Sequence, residues 1–488
     1  MENQTNIFEM LYPTFKIDKP IRLITLFSGY DSQALALKYL GVKFEHYKTC
    51  EWAVKSIQAL KDLHFENDNT DYSKNLTDDE VKEYLLKKGI SSNYNDPMSK
   101  EQIKRLKNHR QIYNNIQATH NLVNIQQVKG KDLCIKDTDK FTYLLTYSFP
   151  CQDLSLAGNR KGMSDTSTRS GMLWEVERIL GELEEKPQIL LMENVPQVHG
   201  EGVVEDFNKW QLRLEELGYK NYWQDLIATD YGIPQTRNRT FMVSILGDYN
   251  YTFPKPIPLK LKLKDMLEDS VDEKYYLTDK AMNYICGNAL NKDLKDRIDR
   301  SKTKLNKEIA YTLTTKQNRR CGDANFVLEG YGETSIGDYL KMRNECINTF
   351  DEYNHKINGN ETIGTIQALY PLYNHGHRLI IKNATAKGYL EAEEGDGVDI
   401  SSRMEYHRGT VQKGKTQTLS TMGGESNGVV VDDLKIRKLT PKECFRLMGV
   451  KDEDYEKVAK NQSDSSLYHL AGDSIVVNVL MAIFKEMF

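Results

Sequence analysis

The sequence predicts an α/β protein in which an open, largely parallel sheet carries the chemistry, joined to a smaller, mainly β and irregular domain. Three observations lead there. A strand (Ile21 to Phe27), a tight glycine turn (Ser28-Gly29-Tyr30-Asp31-Ser32) and a helix to about Leu40 follow one another near the start. Later apolar runs, Phe141 to Tyr147, Gln188 to Met192 and Thr240 to Leu246, each adjoin residues able to do chemistry. Buried parallel strands read as continuous apolar runs, and open α/β sheets place their sites at strand ends. Finally, Phe253-Pro254-Lys255-Pro256-Ile257-Pro258 is a stiff punctuation, after which short strands rich in Gly, Asn and Thr take over.

Length and composition bound the function. A chain of 488 residues exceeds one ordinary domain, and 39% apolar content can build a core. With 66 basic and 70 acidic residues the net charge is −4, which excludes a generally basic surface. The Lys- and Arg-rich segment from Asn291 to Arg320 is the exception: it suits phosphate neutralisation or a solvated, mixed-charge helix face. Seven cysteines is an odd number with no Cys-x-x-Cys pair, so free thiols in a reducing, cytoplasmic setting are expected and no metal. The start has no basic region leading into an apolar run, and long apolar stretches are missing.

The apolar run ending at Tyr147 delivers Ser148-Phe149-Pro150-Cys151-Gln152-Asp153-Leu154-Ser155. A deprotonated thiol there would be a strong nucleophile, although a lone cysteine is more often a small buried hydrophobe. The next run delivers Glu193-Asn194-Val195, and Gln235-Thr236-Arg237-Asn238-Arg239 precedes the last. A thiol, an acid and paired arginines thus each lie beside a strand end.

In that order, Pro-Cys-Gln, Glu-Asn-Val and Gln-x-Arg-x-Arg resemble the motifs of the cytosine-C5 DNA methyltransferases of bacterial and phage restriction-modification type. The resemblance spans Ile21 to Ile57, Val128 to Leu246 and Arg437 to Leu480. It implies a Rossmann-like S-adenosylmethionine-dependent catalytic domain at 1–255 with a helical insertion at about 59–125. A target-recognition domain at 256–433 and a return to the catalytic domain at 434–488 would follow. The implied cofactor residues are Phe27, Gly29 and Tyr30 of the turn, Glu51 for ribose, Trp52 for adenine, and Asp132-Leu133 for the adenine amino group. Pro150, Leu173, Asp473 and Ser474 complete the set. As an isolated pair Glu51 and Trp52 would more often be a surface acid and a core aromatic. The family usually has further glycines at Asp31 and Ser32 and an Asn at Asp473. The insertion is expected either to bear on DNA or only to extend the surface.

The resemblance also implies a mechanism. Cys151 would attack C6 of a flipped-out cytosine, Glu193 would hold N3, and Arg239 with Arg237 would orient the ring through O2. Gln152, Ser155 and Arg160 would contact DNA, the last from a polar loop over Ala157 to Gly171 expected to act as a lid. Thr312 and Thr418, in two echoing Thr-Leu passages, and Arg319, Arg320 and Arg403 would serve target recognition. Thr440, Pro441 and Glu443 read as a capping box with proline at the first helical position. Double-stranded DNA is the expected partner, with a cognate restriction endonuclease possible and a monomer the default. An RNA cytosine methyltransferase and a catalytically silent DNA-binding regulator on the same scaffold are the alternatives.

Overall fold

The computed structural model describes residues 12–149, 170–277, 348–351, 356–359, 378–383, 389–400, 409–419, 427–431 and 435–488. The chain divides into two compact units, Met1–Leu261 with Cys444–Phe488, and Lys262–Glu443.

The first unit is built on a six-stranded sheet of order β2-β1-β3-β4-β6-β5. Its strands are β1 (Ile21–Leu26), β2 (Phe44–Cys50), β3 (Thr142–Tyr147), β4 (Ile189–Asn194), β5 (Tyr219–Ile227) and β6 (Asn238–Leu246). The first four are parallel, and β6 runs against both neighbours. Every residue of β3 and β4 is buried, because both faces are covered. One face presents Ile24, Leu26, Tyr143, Leu145, Leu190 and Met192 to a single apolar core. Helices α6 (Leu173–Gly181) and α7 (Val204–Glu216) bury Val176, Ile179, Phe207 and Trp210 in that core. Trp210 Nε1 donates to Tyr147 Oη at 3.1 Å, so burying the indole leaves no donor unsatisfied.

On the chain's first crossover, helix α1 (Ser32–Tyr39) follows β1 and packs against the last helix of the chain. Helix α2 (Val54–His64) follows β2 and continues past the expected start of the insertion, since Ala59, Leu60 and Leu63 are all buried. Beyond it come α3 (Asp78–Lys88), α4 (Lys100–Arg105) and α5 (His109–Ala118). Helix α3 opens on a Thr77–Glu80 capping box and closes at Gly89, which is left-handed at φ 68°. The helical patch expected from Lys100 onward is two helices, because Leu106 takes extended backbone and breaks it.

The end of the chain holds α8 (Pro441–Leu447), α9 (Asp452–Ala459), α10 (Asp464–Asp473) and α11 (Val477–Lys485). The stretch Asp464–Lys485 is long and apolar enough to cross a membrane by length and composition. Here it is mostly buried, with Leu467, Leu470, Leu480, Ile483 and Phe484 in the core.

Among its described residues the second unit is made of β strands and short 3-10 turns up to the start of α8. Antiparallel sheets of order β10-β9-β7-β8 and β12-β11-β13-β14 are formed by Asn348–Asp351, Lys356–Gly359, Arg378–Lys382, Tyr389–Ala392, Gly397–Asp399, Val411–Gln412, Asn427–Val431 and Lys435–Lys438. Leu379, Ile381, Ala392, Val398, Val430 and Ile436 form its core. The capping box read from the sequence closes: Thr440 N donates to Glu443 Oε2 at 2.8 Å and Glu443 N to Thr440 Oγ1 at 3.2 Å. Glu443 also pairs with Arg437 at 2.7 Å, both side chains fully buried.

Candidate active site

Two groups of residues stand at the C-terminal ends of the parallel strands. The first belongs to the turn after β1. Phe27, Gly29 and Asp31 all have left-handed backbone, at φ 59°, 55° and 66°. A side chain built on Gly29 would meet nothing within 4 Å, so the turn leaves open space where its backbone is exposed. Asp31 adopts the left-handed conformation that Asp tolerates better than most residues, and its carboxylate caps α1 by accepting from Ala34 N at 3.1 Å. The other carboxylate oxygen accepts from Thr25 Oγ1 at 3.0 Å and meets His46 Nε2 at 2.6 Å. Burial works against the Asp31 charge, but His46 and these hydrogen bonds hold its pKa below the ordinary value.

Glu51, just past β2, closes over the same turn. Its oxygens accept from Gly29 N at 2.9 Å and Ala53 N at 2.7 Å. Burial pushes its pKa up to about 7 against the pull of these amides, and Asp473 adds to the rise. An acid at the end of the second strand, beside the half-buried indole of Trp52 and an open glycine turn, is a donor and acceptor set that fits a ribose and its adenine.

The second group lies on β4 and β6. Glu193 is buried, accepting from Ser148 Oγ at 2.5 Å and pairing with Arg239 Nε at 3.1 Å. Asn194 Nδ2 donates to Phe149 O at 3.0 Å, tying the exit of β3 to the end of β4. Phe149 is buried, and Cys151 follows it by two residues in the sequence. Pro150, Cys151, Gln152, Ser155, Arg160, Thr312, Arg319, Arg320 and Arg403 lie outside the described residues.

The model of the C-5 cytosine-specific DNA methylase family matches residues 94–488. The chain belongs to that family. It is 29% identical over 478 residues to the Type II methyltransferase M2.ScrFI of Lactococcus lactis subsp. cremoris, covering 96% of this chain and 99% of the relative. It is 36% identical over 264 residues to the orphan methyltransferase M.SssI of Spiroplasma monobiae, covering 52% of this chain and 67% of that one. Among solved structures, the Entamoeba histolytica methyltransferase EhMeth aligns with a TM-score of 0.46 at 14% identity, over 96% of this chain and 98% of that chain. This methyltransferase acts on cytosine C5 in DNA, and S-adenosylmethionine is its methyl donor.

Several expected site residues of the methyltransferase are held by distant parts of the chain. Tyr30 has its ring buried against Phe445, with centroids 5.4 Å apart, and its hydroxyl donates to Ser474 Oγ at 2.8 Å. Its carbonyl accepts from His64 Nε2 at 2.9 Å. Asp132 and Leu133 lie away from the turn after β1. They occupy a 3-10 turn in which Gly130 N donates to Glu182 Oε2 at 2.7 Å, just past the C-terminal end of α6, and Asp132 Oδ2 accepts from Lys129 N at 2.9 Å. Helix α6 leads into the start of β4, so this turn lies at the opposite edge of the sheet from Glu51. Leu133 is fully buried in the core, as is Leu173 at the start of α6.

The residue that meets Glu51 from this part of the chain is Asn121. It brackets the Glu51 peptide, accepting from Glu51 N at 3.0 Å and donating to Glu51 O at 2.9 Å. An asparagine on either side of an apolar pair, Asn121-Leu122-Val123-Asn124, is the sequence signal for it. Arg237, expected to act with Arg239, is held by the end of the chain. Its buried guanidinium donates to Gly472 O at 3.0 Å and Ser474 O at 2.7 Å, bracing the end of α10. Burial, with Arg239 beside it, lowers the Arg237 pKa to about 9. Asp473 is exposed and Ser474 buried. In the second unit, Thr418 is half-buried beside the buried Leu419, while Thr416 accepts from Asn427 Nδ2 at 3.0 Å.

Proposed function

We propose that this chain methylates cytosine within one short duplex sequence through a transient Cys151–C6 bond, with Glu193 and Arg239 as the groups that hold the base. The observation carrying this reading is the Ser148–Glu193–Arg239 arrangement at the exit of β3, whose Ser148 lies three residues before Cys151 in the sequence. A thiolate adding to C6 pushes electrons into the ring and makes C5 nucleophilic. Glu193, at the end of a central strand, holds N3, and Arg239 places its guanidinium where O2 gains negative charge. S-adenosylmethionine would supply the methyl group to C5, leaving as S-adenosylhomocysteine; loss of the C5 proton to a base then expels the Cys151 thiolate and restores the ring. The turn after β1, Glu51 and Trp52 hold its adenosyl part, and Arg237 keeps the Gly472-to-Ser474 segment against that turn.

Target recognition belongs to Lys262–Glu443 in this reading, with the basic segment from Asn291 to Arg320 contacting phosphates. The two named relatives comprise one Type II and one orphan enzyme, which supports either a restriction-modification pairing with an endonuclease or a solitary methyltransferase. A monomer suffices, since one strand is methylated at a time. The test is to incubate the purified chain and a Cys151→Ala variant with S-adenosylmethionine and unmethylated genomic DNA, then read 5-methylcytosine at single-base resolution. One short motif methylated by the parent alone is expected. Methylation by the Cys151→Ala variant at the parent's rate would overturn the covalent step, and, with total RNA offered in a parallel reaction, 5-methylcytosine in RNA but not DNA would overturn the substrate.

A further inference from the structure

The helices inserted between β2 and β3 build a core of their own. Val81, Leu85, Ile90, Ile103, Ile112 and Ile116 are buried together, and Trp52 packs against them. The indole assigned to adenine is therefore backed by inserted residues.

A loop of the insertion is fastened to the same place. Ser91 N donates to Trp52 O at 2.8 Å and Val54 N to Ser91 O at 2.9 Å, so the loop lies alongside Ala53 as a short parallel bridge. Asn93 Oδ1 accepts from Asn95 N and Asp96 N, Ser91 Oγ donates to Asp96 O at 2.8 Å, and Met98 N donates to Ile90 O, closing the loop at its base. This network holds Tyr94 at φ 63°, a left-handed conformation that a bulky aromatic residue rarely adopts. Such backbone persists only where surrounding contacts over-determine it.

The Tyr94 ring reaches the other end of the chain. Its centroid is 3.8 Å from that of His469 on α10, with the rings tilted by 35°. His469 Nε2 in turn stands 3.1 Å from Asp473 Oδ2. Burial raises the Tyr94 phenol pKa, and the nearby carboxylates of Glu51 and Asp473 raise it further. Tyr94 thus spans the two segments, Glu51-Trp52 and Asp473-Ser474, that flank the turn after β1.

We infer that the loop from Ile90 to Met98 is a clasp on the adenosyl side of the S-adenosylmethionine pocket, with Tyr94 as a positioning residue that pins α10 against Glu51-Trp52. This rests on reading Glu51 and Trp52 as the cofactor site. A loop serving only the inserted core would need Ile90 and the Ser91 bridge but no ring contact with α10.

The test measures S-adenosylhomocysteine binding by calorimetry with the full chain and its Tyr94→Ala, Tyr94→Phe, His469→Ala and Glu51→Gln variants, alongside thermal melting and deuterium uptake. Tyr94→Ala and His469→Ala are each expected to weaken binding about fivefold to tenfold, the loss of one aromatic pair. Tyr94→Phe keeps the ring and is expected to bind like the parent. Deuterium uptake in Tyr94→Ala should rise at 469–475, which a loop supporting only the insertion would leave unchanged. Should Tyr94→Ala fail to fold, His469→Ala decides, because it leaves the loop intact. Parental affinity in His469→Ala and Tyr94→Ala, with binding lost in Glu51→Gln, would overturn the clasp and leave the cofactor site standing. Parental affinity in Glu51→Gln would overturn the cofactor site and the clasp with it.

Discussion

Arg239 reaches Glu193 diagonally across the sheet, Nε to Oε1 at 3.1 Å, because Glu193 is paired with Phe241 and Arg239 lies two residues along β6 on the same face. Arg237, two residues further, precedes the strand and turns to α10 instead. Removing the Arg239 side chain leaves a buried carboxylate without its cation. Arg239→Ala is expected to lower kcat by about 10²- to 10³-fold, and Glu193→Gln by about 10²-fold or more. Initial rates of labelled methyl transfer, with melting temperatures alongside, check both.

Arg237 is predicted to matter first for stability. Losing two charge-assisted hydrogen bonds to Gly472 O and Ser474 O in a buried setting costs about 2 to 4 kcal/mol in Arg237→Met. Urea unfolding reads this directly. A variant with parental stability and lost turnover would instead place Arg237 on the base.

Cofactor affinity should depend on pH through Glu51. Its carboxyl, at about 7 in the free protein, is protonated below that value, whereas ribose hydroxyls donate to the ionised form. Affinity for S-adenosylhomocysteine should therefore rise with pH up to about 7 and level off above it, with roughly a tenfold change per unit on the acid side. Calorimetry from acid to mildly alkaline pH tests this, and Glu51→Gln should flatten the profile.

The histidines beneath the turn set an acid limit on stability. Burial and neighbouring His46 push the His64 pKa down to about 4, from an ordinary 6.5. Between those values the unfolded chain binds the extra proton, so stability falls as pH drops from about 6.5 toward 4. Asp31 acts lower: its depressed pKa stabilises the fold above the ordinary 3.8 and that contribution is lost as pH falls below it. Urea midpoints across this range should decline in the parent, and His64→Leu should remove the upper part of the decline.

The start of α8 is a local test in the second unit. Thr440→Ala removes one side of the capping box and should cost about 1 kcal/mol. Glu443→Gln strands buried Arg437 and should cost about 3 to 5 kcal/mol. Denaturant unfolding of both variants separates the two effects.

By itself the sequence determined the strand, turn and helix at Ile21 to Leu40, the apolar strands β3, β4 and β6, and the capping box at Thr440. It also carried the ordered motifs of the family. These depend on apolar periodicity and hydrogen bonds among residues a few positions apart, which a sequence displays directly. Only the tertiary structure decided which partners hold the side chains around the turn. Tyr30 turns inward because Ser474, 444 residues away, takes its hydroxyl. Arg237 becomes a brace because the end of α10 returns to it, and Asp132 falls at the far edge of the sheet because α6 ends there. Tyr94 meets His469 only once the insertion and the end of the chain have folded onto the same turn. Long-range packing sets these directions, and no local pattern around Tyr30, Asp132 or Tyr94 records it.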